Sequence, residues 1–165
     1  DFRLVVGKNG FSKSLIHKPT REECLIPEEN IPVFSVTQER PYHNEIKLSH
    51  PNKRMTFQAS SIRRQGDSLI VGFELVPYEA VILIRETPDY ISFSSAGFMV
   101  QPDAYPGYLK ITPPPATEFC FIQLPVKNRK YFGEWLNVSW DDNISVNLLA
   151  TDPYARIDAE ERQAG

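Results

Sequence analysis

Several features that would assign a function class are scarce or missing in this sequence. No stretch of its 165 residues approaches the roughly 20 consecutive apolar residues that a membrane-spanning helix needs. The net charge is −3, so the chain lacks the basic excess that nucleic-acid partners normally require. No membrane span and no nucleic-acid partner are therefore predicted.

The sequence also lacks the short motifs that carry catalytic chemistry. It has no G-x-S-x-G nucleophile motif, no phosphate-binding glycine spacing and no paired-cysteine metal motif. Its three histidines, His17, His43 and His50, all lie in proline-containing stretches that are typical of loops. No catalytic residue and no resident cofactor are therefore predicted.

Cysteine is rare, with only Cys24 and Cys120 present and far apart along the chain. The two could form one long-range disulfide. The interpretation favoured here is two buried free thiols, because free cysteine is among the most buried residue types.

What the sequence does contain is the pattern of a β protein. Its fourteen prolines predict many short elements, because proline is excluded from helix interiors and central strands. Between residues 46 and 98, turn-forming residues interrupt the apolar alternation roughly every 8–12 residues, as in a sandwich or barrel. The predicted strands are Ile46–Ser49, Met55–Arg64, Leu69–Val76, Ala80–Ile84 and Tyr90–Phe93, with turns at Gln65–Ser68, Pro77–Glu79 and Thr87–Asp89.

Three of these strands carry a prediction about burial. The predicted inward positions are Phe57, Ala59 and Ser61 in one strand and Leu69, Val71, Phe73 and Leu75 in the next. The uninterrupted apolar run Ala80–Ile84 predicts a strand buried on both faces.

Outside this region the predicted elements are less regular. Arg21–Glu23 is interpreted as part of a loop or as a short helix. The further strands predicted are Leu4–Val6, Val33–Thr37, Tyr108–Thr112, Glu118–Val126, and a hairpin of Trp135–Trp140 with Ile144–Ala150.

Together these patterns predict one all-β, antiparallel β-sandwich with few or no helices, over residues 1–152. Residues 153–165 are polar, alanine-rich and helix-prone, which indicates a frayed terminus or, as favoured here, the start of a linker to a further domain. The chain opens at Asp1 without an initiator methionine, as a processed chain does, so the missing signal peptide carries no information on location.

One stretch, residues 131–143, combines aromatic and acidic side chains in the way that sugar-binding sites do. Sugar rings stack on aromatic faces, while acids and amides bind the hydroxyls. The candidate carbohydrate-binding residues are Trp135, Trp140, Asp141 and Asp142, with a second aromatic pair at Tyr105 and Tyr108. In an unbroken strand Trp135 and Trp140 would face opposite sides, so one of them is expected in the core.

The same stretch holds the one candidate for a metal ion. Asp141, Asp142 and Asn143 could offer oxygen ligands to Ca²⁺, although a full calcium-loop pattern is absent. The alternative is a hairpin turn rich in Asp and Asn, which needs no metal.

The runs FQASSIRRQGDSLIVGFEL (57–75) and AVILIRETPDYISFSSAGF (80–98) resemble the N-terminal β-sandwich of multidomain glycoside hydrolases, the galactose-mutarotase-like supersandwich. The later EFCFIQLPVKNRKYFGEWLNVSWDD (118–142) and TDPYARIDAEER (151–162) are similar in style to the passage from such a sandwich into a following (β/α)₈ barrel. The resemblance covers about two-thirds of the chain and concerns strands and turns.

The resemblance implies a non-catalytic accessory domain of a bacterial glycoside hydrolase. In that family the catalytic carboxylates lie in the barrel, so the expected partners are carbohydrate and a catalytic domain C-terminal to this segment. It also implies an extracytoplasmic location, either periplasmic, at the cell surface or secreted.

Two other functions remain open. One is a free-standing carbohydrate-binding or adhesive module, which should show a shallow aromatic platform. The other is a small sugar epimerase on the same fold, which would need a histidine and a carboxylate on the concave sheet face. An accessory domain should instead expose an apolar patch that its catalytic domain covers.

Overall fold

The computed structural model describes residues 1–26, 29, 31–40, 53–101, 116–157 and 159. Within these ranges the chain is all-β and antiparallel, with one single-turn 3-10 helix at Glu134–Leu136. The strands are β1 (Phe2–Val6), β2 (Ser12–His17), β3 (Glu22–Glu23), β4 (Ser35–Arg40), β5 (Lys53–Gln65), β6 (Ser68–Phe73), β7 (Tyr78–Glu86), β8 (Ile91–Val100), β9 (Ala116–Cys120), β10 (Tyr131–Gly133), β11 (Val138–Trp140) and β12 (Ser145–Asn147). The prediction of an all-β, sandwich-like fold is confirmed.

The predicted Ile46–Ser49 and Tyr108–Thr112 strands lie outside the described residues. In the described part of the tail, Asp152–Ala155 forms a turn and no helix. Among all the residues that the structure describes, no helix is long and apolar enough to cross a membrane.

The largest unit is a six-stranded sheet in the order β8-β7-β6-β5-β4-β9. Five consecutive strands form a meander, and β9 returns to pair beside β4. The sheet is curled, since Phe119 on the edge strand β9 lies 5.8 Å from Phe73 and 6.3 Å from Phe98, measured between ring centroids. Side chains from both edges of the sheet therefore meet over one core.

Alternation along the strands builds this core. Phe57, Ala59, Val71 and Phe73 point inward and are buried as predicted, and each large side chain of this kind contributes about 1.5–3 kcal/mol. The two-residue turn between β5 and β6 is also as predicted, with Gly66 at a φ of 62°, which glycine adopts without strain.

Two burial predictions, those for Ser61 and Leu75, are wrong. A bulge between Ala59 and Ser61 shifts the register, so Ser61 is exposed and Ile62 packs on the core instead. Leu75 is 78% exposed at a φ of 61°, because the chain turns at Glu74–Val76 rather than at Pro77–Glu79.

The run Ala80–Ile84 is not buried on both faces. Ile82 is fully buried, whereas Leu83 is 44% exposed, so β7 alternates like its neighbours despite its apolar sequence. The predicted Glu118–Val126 strand is shorter than expected and ends at Cys120.

A second, smaller core lies between the two three-stranded sheets, β1-β2-β3 and β10-β11-β12. Its members are Leu15, Cys24, Leu25 and Ile144, flanked by Phe2, Leu4, Leu124, Val126 and Val146. Leu124 packs against both cores and so links them. The predicted helix alternative at Arg21–Glu23 is wrong, since Glu22–Glu23 forms strand β3.

Both cysteines are free thiols, as favoured above, and the disulfide alternative is wrong. Cys24 is fully buried in the small core, and Cys120 is partly buried on β9. Burial raises the pKa of the Cys120 thiol, which favours its neutral form.

Candidate functional site

The aromatic and acidic stretch 131–143 folds into β10, the 3-10 turn, β11 and the turn into β12. Only part of the predicted hairpin is correct: β11 pairs with β12, but the chain from Trp135 to Trp140 is not one strand. Asn137 takes a left-handed conformation, with a φ of 47°, and its N–H donates to the Glu134 carbonyl. This closes the turn and separates the two tryptophans.

Alternation shows which side chains of this sheet face away from the protein. Val146 packs in the small core, so its neighbours on β12 point outward. Strand pairing then places six residues on this outer face, in the rows Tyr131, Trp140, Ser145 and Gly133, Val138, Asn147.

Trp140 is held flat against this outer face. Its ring stacks on Tyr131 at 5.4 Å between centroids and 29° between planes. Gly133 makes this position possible, because a Cβ there would lie 3.3 Å from the Trp140 ring and 3.1 Å from Val138. The aromatic surface is therefore fixed before any ligand arrives.

Trp135 stands beside the outer face on the 3-10 turn and is 97% exposed. The Asn147 side chain donates to the Leu136 carbonyl at 3.1 Å and so ties this turn to β12. Neither tryptophan belongs to a core, so the prediction that one of them is buried is wrong. The signal that could have shown the break is Gly133 together with Asn137, a residue that tolerates left-handed backbone.

Asp141 is occupied within the protein. Its Oδ1 accepts the backbone N–H groups of Asn143 at 2.8 Å and Ile144 at 2.9 Å, and its Oδ2 accepts from Arg129 at 2.5 Å. The two backbone donors and Arg129 lower the pKa of Asp141 to about 2. This geometry matches the Asp-rich turn that was the alternative to a calcium site.

The other proposed calcium ligands are Asp142 and Asn143, and both are exposed. Asp142 lies 3.9 Å from the Lys130 ammonium, which is itself 4.9 Å from the centre of the Tyr131 ring. Among the residues that the structure describes, no group of three or more His, Cys, Asp or Glu side chains could hold a metal ion.

Arg129 is a buried charged residue at the site that the sequence does not point to. Its side chain is only 3% exposed, and it bridges Glu22 at 3.0 Å and Asp141 at 2.5 Å. It also lies 3.3 Å from the Cys24 sulfur. Burial alone would lower the pKa of Arg129, but these partners raise it, so the guanidinium stays charged. It connects β3 to the β11–β12 turn and positions the sheet that carries the outer face.

Of the remaining candidate residues, the structure describes His17 alone. His17 contacts the Thr20 hydroxyl at 2.8 Å, and His43, His50, Tyr105 and Tyr108 lie outside the described residues.

A small open cavity of about 170 Å³ is lined in part by Ser12, Lys13 and Glu23. The Glu23 carboxylate accepts from the Ser14 hydroxyl and from two backbone N–H groups at 2.5–3.0 Å. Burial alone would raise the pKa of Glu23, but these hydrogen bonds lower it, so Glu23 serves the structure as a charged acceptor.

Comparison with known proteins finds no match for this chain among family models, curated proteins or solved structures. The resemblance to galactose-mutarotase-like sandwiches therefore stays a prediction, and function must be argued from the geometry.

Proposed function

We propose that this chain is a non-catalytic β domain of a carbohydrate-acting protein, and that it contacts the sugar with the outer face of β10–β12. The observation that carries the proposal is the Tyr131–Trp140 stack, fixed on an open sheet face beside the exposed Trp135. Aromatic rings held in this way take the apolar C–H faces of sugars. An extracytoplasmic location belongs to the same proposal.

The polar side chains of the outer face support the proposal that it contacts sugar. Ser145 and Asn147 lie in line with Trp140 and Val138 across the sheet. Hydroxyl and amide groups beside an aromatic surface are the usual means of orienting a sugar.

The proposed role leaves the chemistry to another domain. In the described part of the chain the carboxylates best placed by the fold, Glu23 and Asp141, are already held by several protein donors. A sugar epimerase would need a histidine and a carboxylate together, and His17 contacts Thr20 and Phe2 instead.

Isothermal titration calorimetry of the chain against a panel of oligosaccharides tests the proposal. We expect binding by the native chain and a loss of about tenfold or more in Trp140→Ala, as for a central aromatic contact worth above ~1 kcal/mol. Trp135→Ala should also weaken binding, and it cannot disturb the fold, because its side chain is almost fully exposed. Tyr90→Ala is the matched control, because Tyr90 is an exposed aromatic residue that is distant in sequence from the outer face.

If both tryptophan variants bind as tightly as the native chain, the sugar does not contact the outer face. Absence of binding to the whole panel would contradict carbohydrate recognition by this domain. Turnover of a glycoside by the chain alone would contradict the non-catalytic part.

A second candidate role is docking against a catalytic domain, and a separate observation favours it. Leu136, Leu148 and Leu149 are 42–73% exposed, and the Leu148 N–H donates to the Asn137 carbonyl, which brings the two segments together. Adjacent exposed leucines of this kind are typical of a surface that a partner covers.

The coding sequence beyond Gly165 provides the first test of docking. A barrel with paired carboxylates there would support it, and the Leu148→Ser, Leu149→Ser double variant of that longer protein should then separate the domains in limited proteolysis. No further domain in the coding sequence would contradict this second role.

A further inference from the structure

We infer that the sugar recognised at the outer face is an uncharged oligosaccharide, longer than one unit, that lies from Trp140 to Trp135. This inference rests on the proposed function, and it names the class of ligand. It follows from the charges around the face and from the separation of the two tryptophans.

The six residues of the outer face are all uncharged, namely Tyr131, Gly133, Val138, Trp140, Ser145 and Asn147. Lys130, whose ammonium lies 4.9 Å from the centre of the Tyr131 ring, is paired with Asp142 at 3.9 Å. The surrounding segment, residues 129–147, has two cations against three acids, which leaves it with one net negative charge.

Both of those cations already have acidic partners. Arg129 is buried between Glu22 and Asp141, and Lys130 lies beside Asp142. A uronic acid or sulfated sugar would therefore bring a negative charge to a surface that offers it no unpaired cation within this segment. Like charges brought together in this way weaken binding.

The length of the ligand follows from the positions of the tryptophans. Successive outward residues of a strand are about 7 Å apart, because each residue advances the chain by about 3.3 Å. The Trp140 backbone lies in the first row, its ring reaches Gly133 in the second row, and Trp135 lies on the turn that follows Gly133. Because Trp135 is 97% exposed, its ring does not pack on Trp140, so a ligand that stacks on both rings needs more than one sugar unit.

The polar groups on the strand next to Trp140 suit hydroxyl groups. The Asn147 amide uses one N–H for the Leu136 carbonyl, which leaves its second N–H and its oxygen for a ligand. The Ser145 hydroxyl lies in the same row as Trp140. These neutral donors and acceptors match the uncharged hydroxyls of a neutral glycan.

The test compares four ligand sets by calorimetry at low and at physiological salt. They are neutral trisaccharides of glucose, xylose, mannose and galactose, their monosaccharides, an oligogalacturonide of equal length, and a sulfated oligosaccharide. We expect the neutral trisaccharides to bind at least tenfold more tightly than the monosaccharides and the anionic ligands. Trp135→Ala should weaken trisaccharide binding several-fold and leave monosaccharide binding unchanged, with Tyr90→Ala again as the control.

The outcomes separate the inference from the proposed function. Anionic ligands that bind as tightly as neutral ones, with the loss in Trp140→Ala retained, would overturn the inference and leave carbohydrate recognition standing. Equal binding of mono- and trisaccharides would overturn the length claim in the same way. No binding by any of the four sets would overturn both.

Discussion

The six-stranded sheet and the small β10–β12 sheet are held in place by different forces. The large sheet encloses fully buried Val71 and Ile82, whereas no residue of β10, β11 or β12 is fully buried. The small sheet is instead attached through Val146, the neighbouring Ile144 and the ion pairs of Arg129. The comparison teaches that apolar burial gives this chain its stability, while a few polar contacts position the surface proposed to bind sugar.

The largest expected effect on stability comes from a substitution in the core of the large sheet. Ile82→Ala removes a fully buried side chain and should lower the free energy of unfolding by about 3 kcal/mol, from lost burial and a residual cavity. Chemical denaturation provides the measurement. Leu83→Ala, at the next position on β7 and 44% exposed, is the control and should cost clearly less. Equal losses at the two positions would mean that β7 does not alternate.

A smaller effect is expected where the small sheet is attached. Arg129→Met keeps the length of the side chain but leaves Glu22 and Asp141 without their cation. Because both carboxylates are partly exposed to water, we expect a loss of about 2 kcal/mol in the free energy of unfolding, below that of a fully buried pair.

Lys130→Met is the control for this variant, because Lys130 is exposed and should contribute within about 0.5 kcal/mol. If the Arg129 and Lys130 variants unfold at the same denaturant concentration, the polar attachment of the small sheet is refuted.

The smallest expected effect is a loss of stability at low pH, which arises from Asp141 in the small sheet. The pKa of Asp141 falls from its ordinary value of 3.8 to about 2 in the folded chain. Its contribution to stability is therefore complete above pH 3.8 and is lost as the pH falls toward about 2, because the unfolded chain takes up the proton first.

Thermal melting across this pH range measures the effect. Asp141→Asn keeps the turn acceptor but loses the ion pair with Arg129, so its melting temperature should fall less steeply in acid than that of the native chain. Asp142→Asn, at the exposed neighbour, should follow the native profile. An Asp141→Asn profile parallel to the native one would show that this carboxylate does not sense the pH.

Much of the large sheet could be predicted from the sequence because its signals are local. The β5–β6 hairpin follows from Gly66 in a polar turn between two alternating runs, and Phe57 and Ala59 face the core by the same alternation. The bulge before Ser61 could not be predicted, because it depends on how β5 pairs with β6 and not on β5 alone.

The candidate site was harder to predict. Composition identifies the stretch 131–143, but it does not show that the Asp141 oxygens accept from the turn and from Arg129. Composition also does not show that Tyr131 stacks on Trp140. The sugar-binding role stays a prediction for every candidate residue, namely Trp135, Trp140, Asp141, Asp142, Tyr105 and Tyr108.

The sequence by itself determined the β class, the main turns and the position of the aromatic stretch, because alternation and turn chemistry act between near neighbours along the chain. Only the tertiary structure decided which face of the small sheet looks outward and that Arg129 is buried. The physical reason is distance along the chain: Glu22 is 107 residues from Arg129, and the contacts that bury a charge or turn a sheet exist only after these segments meet.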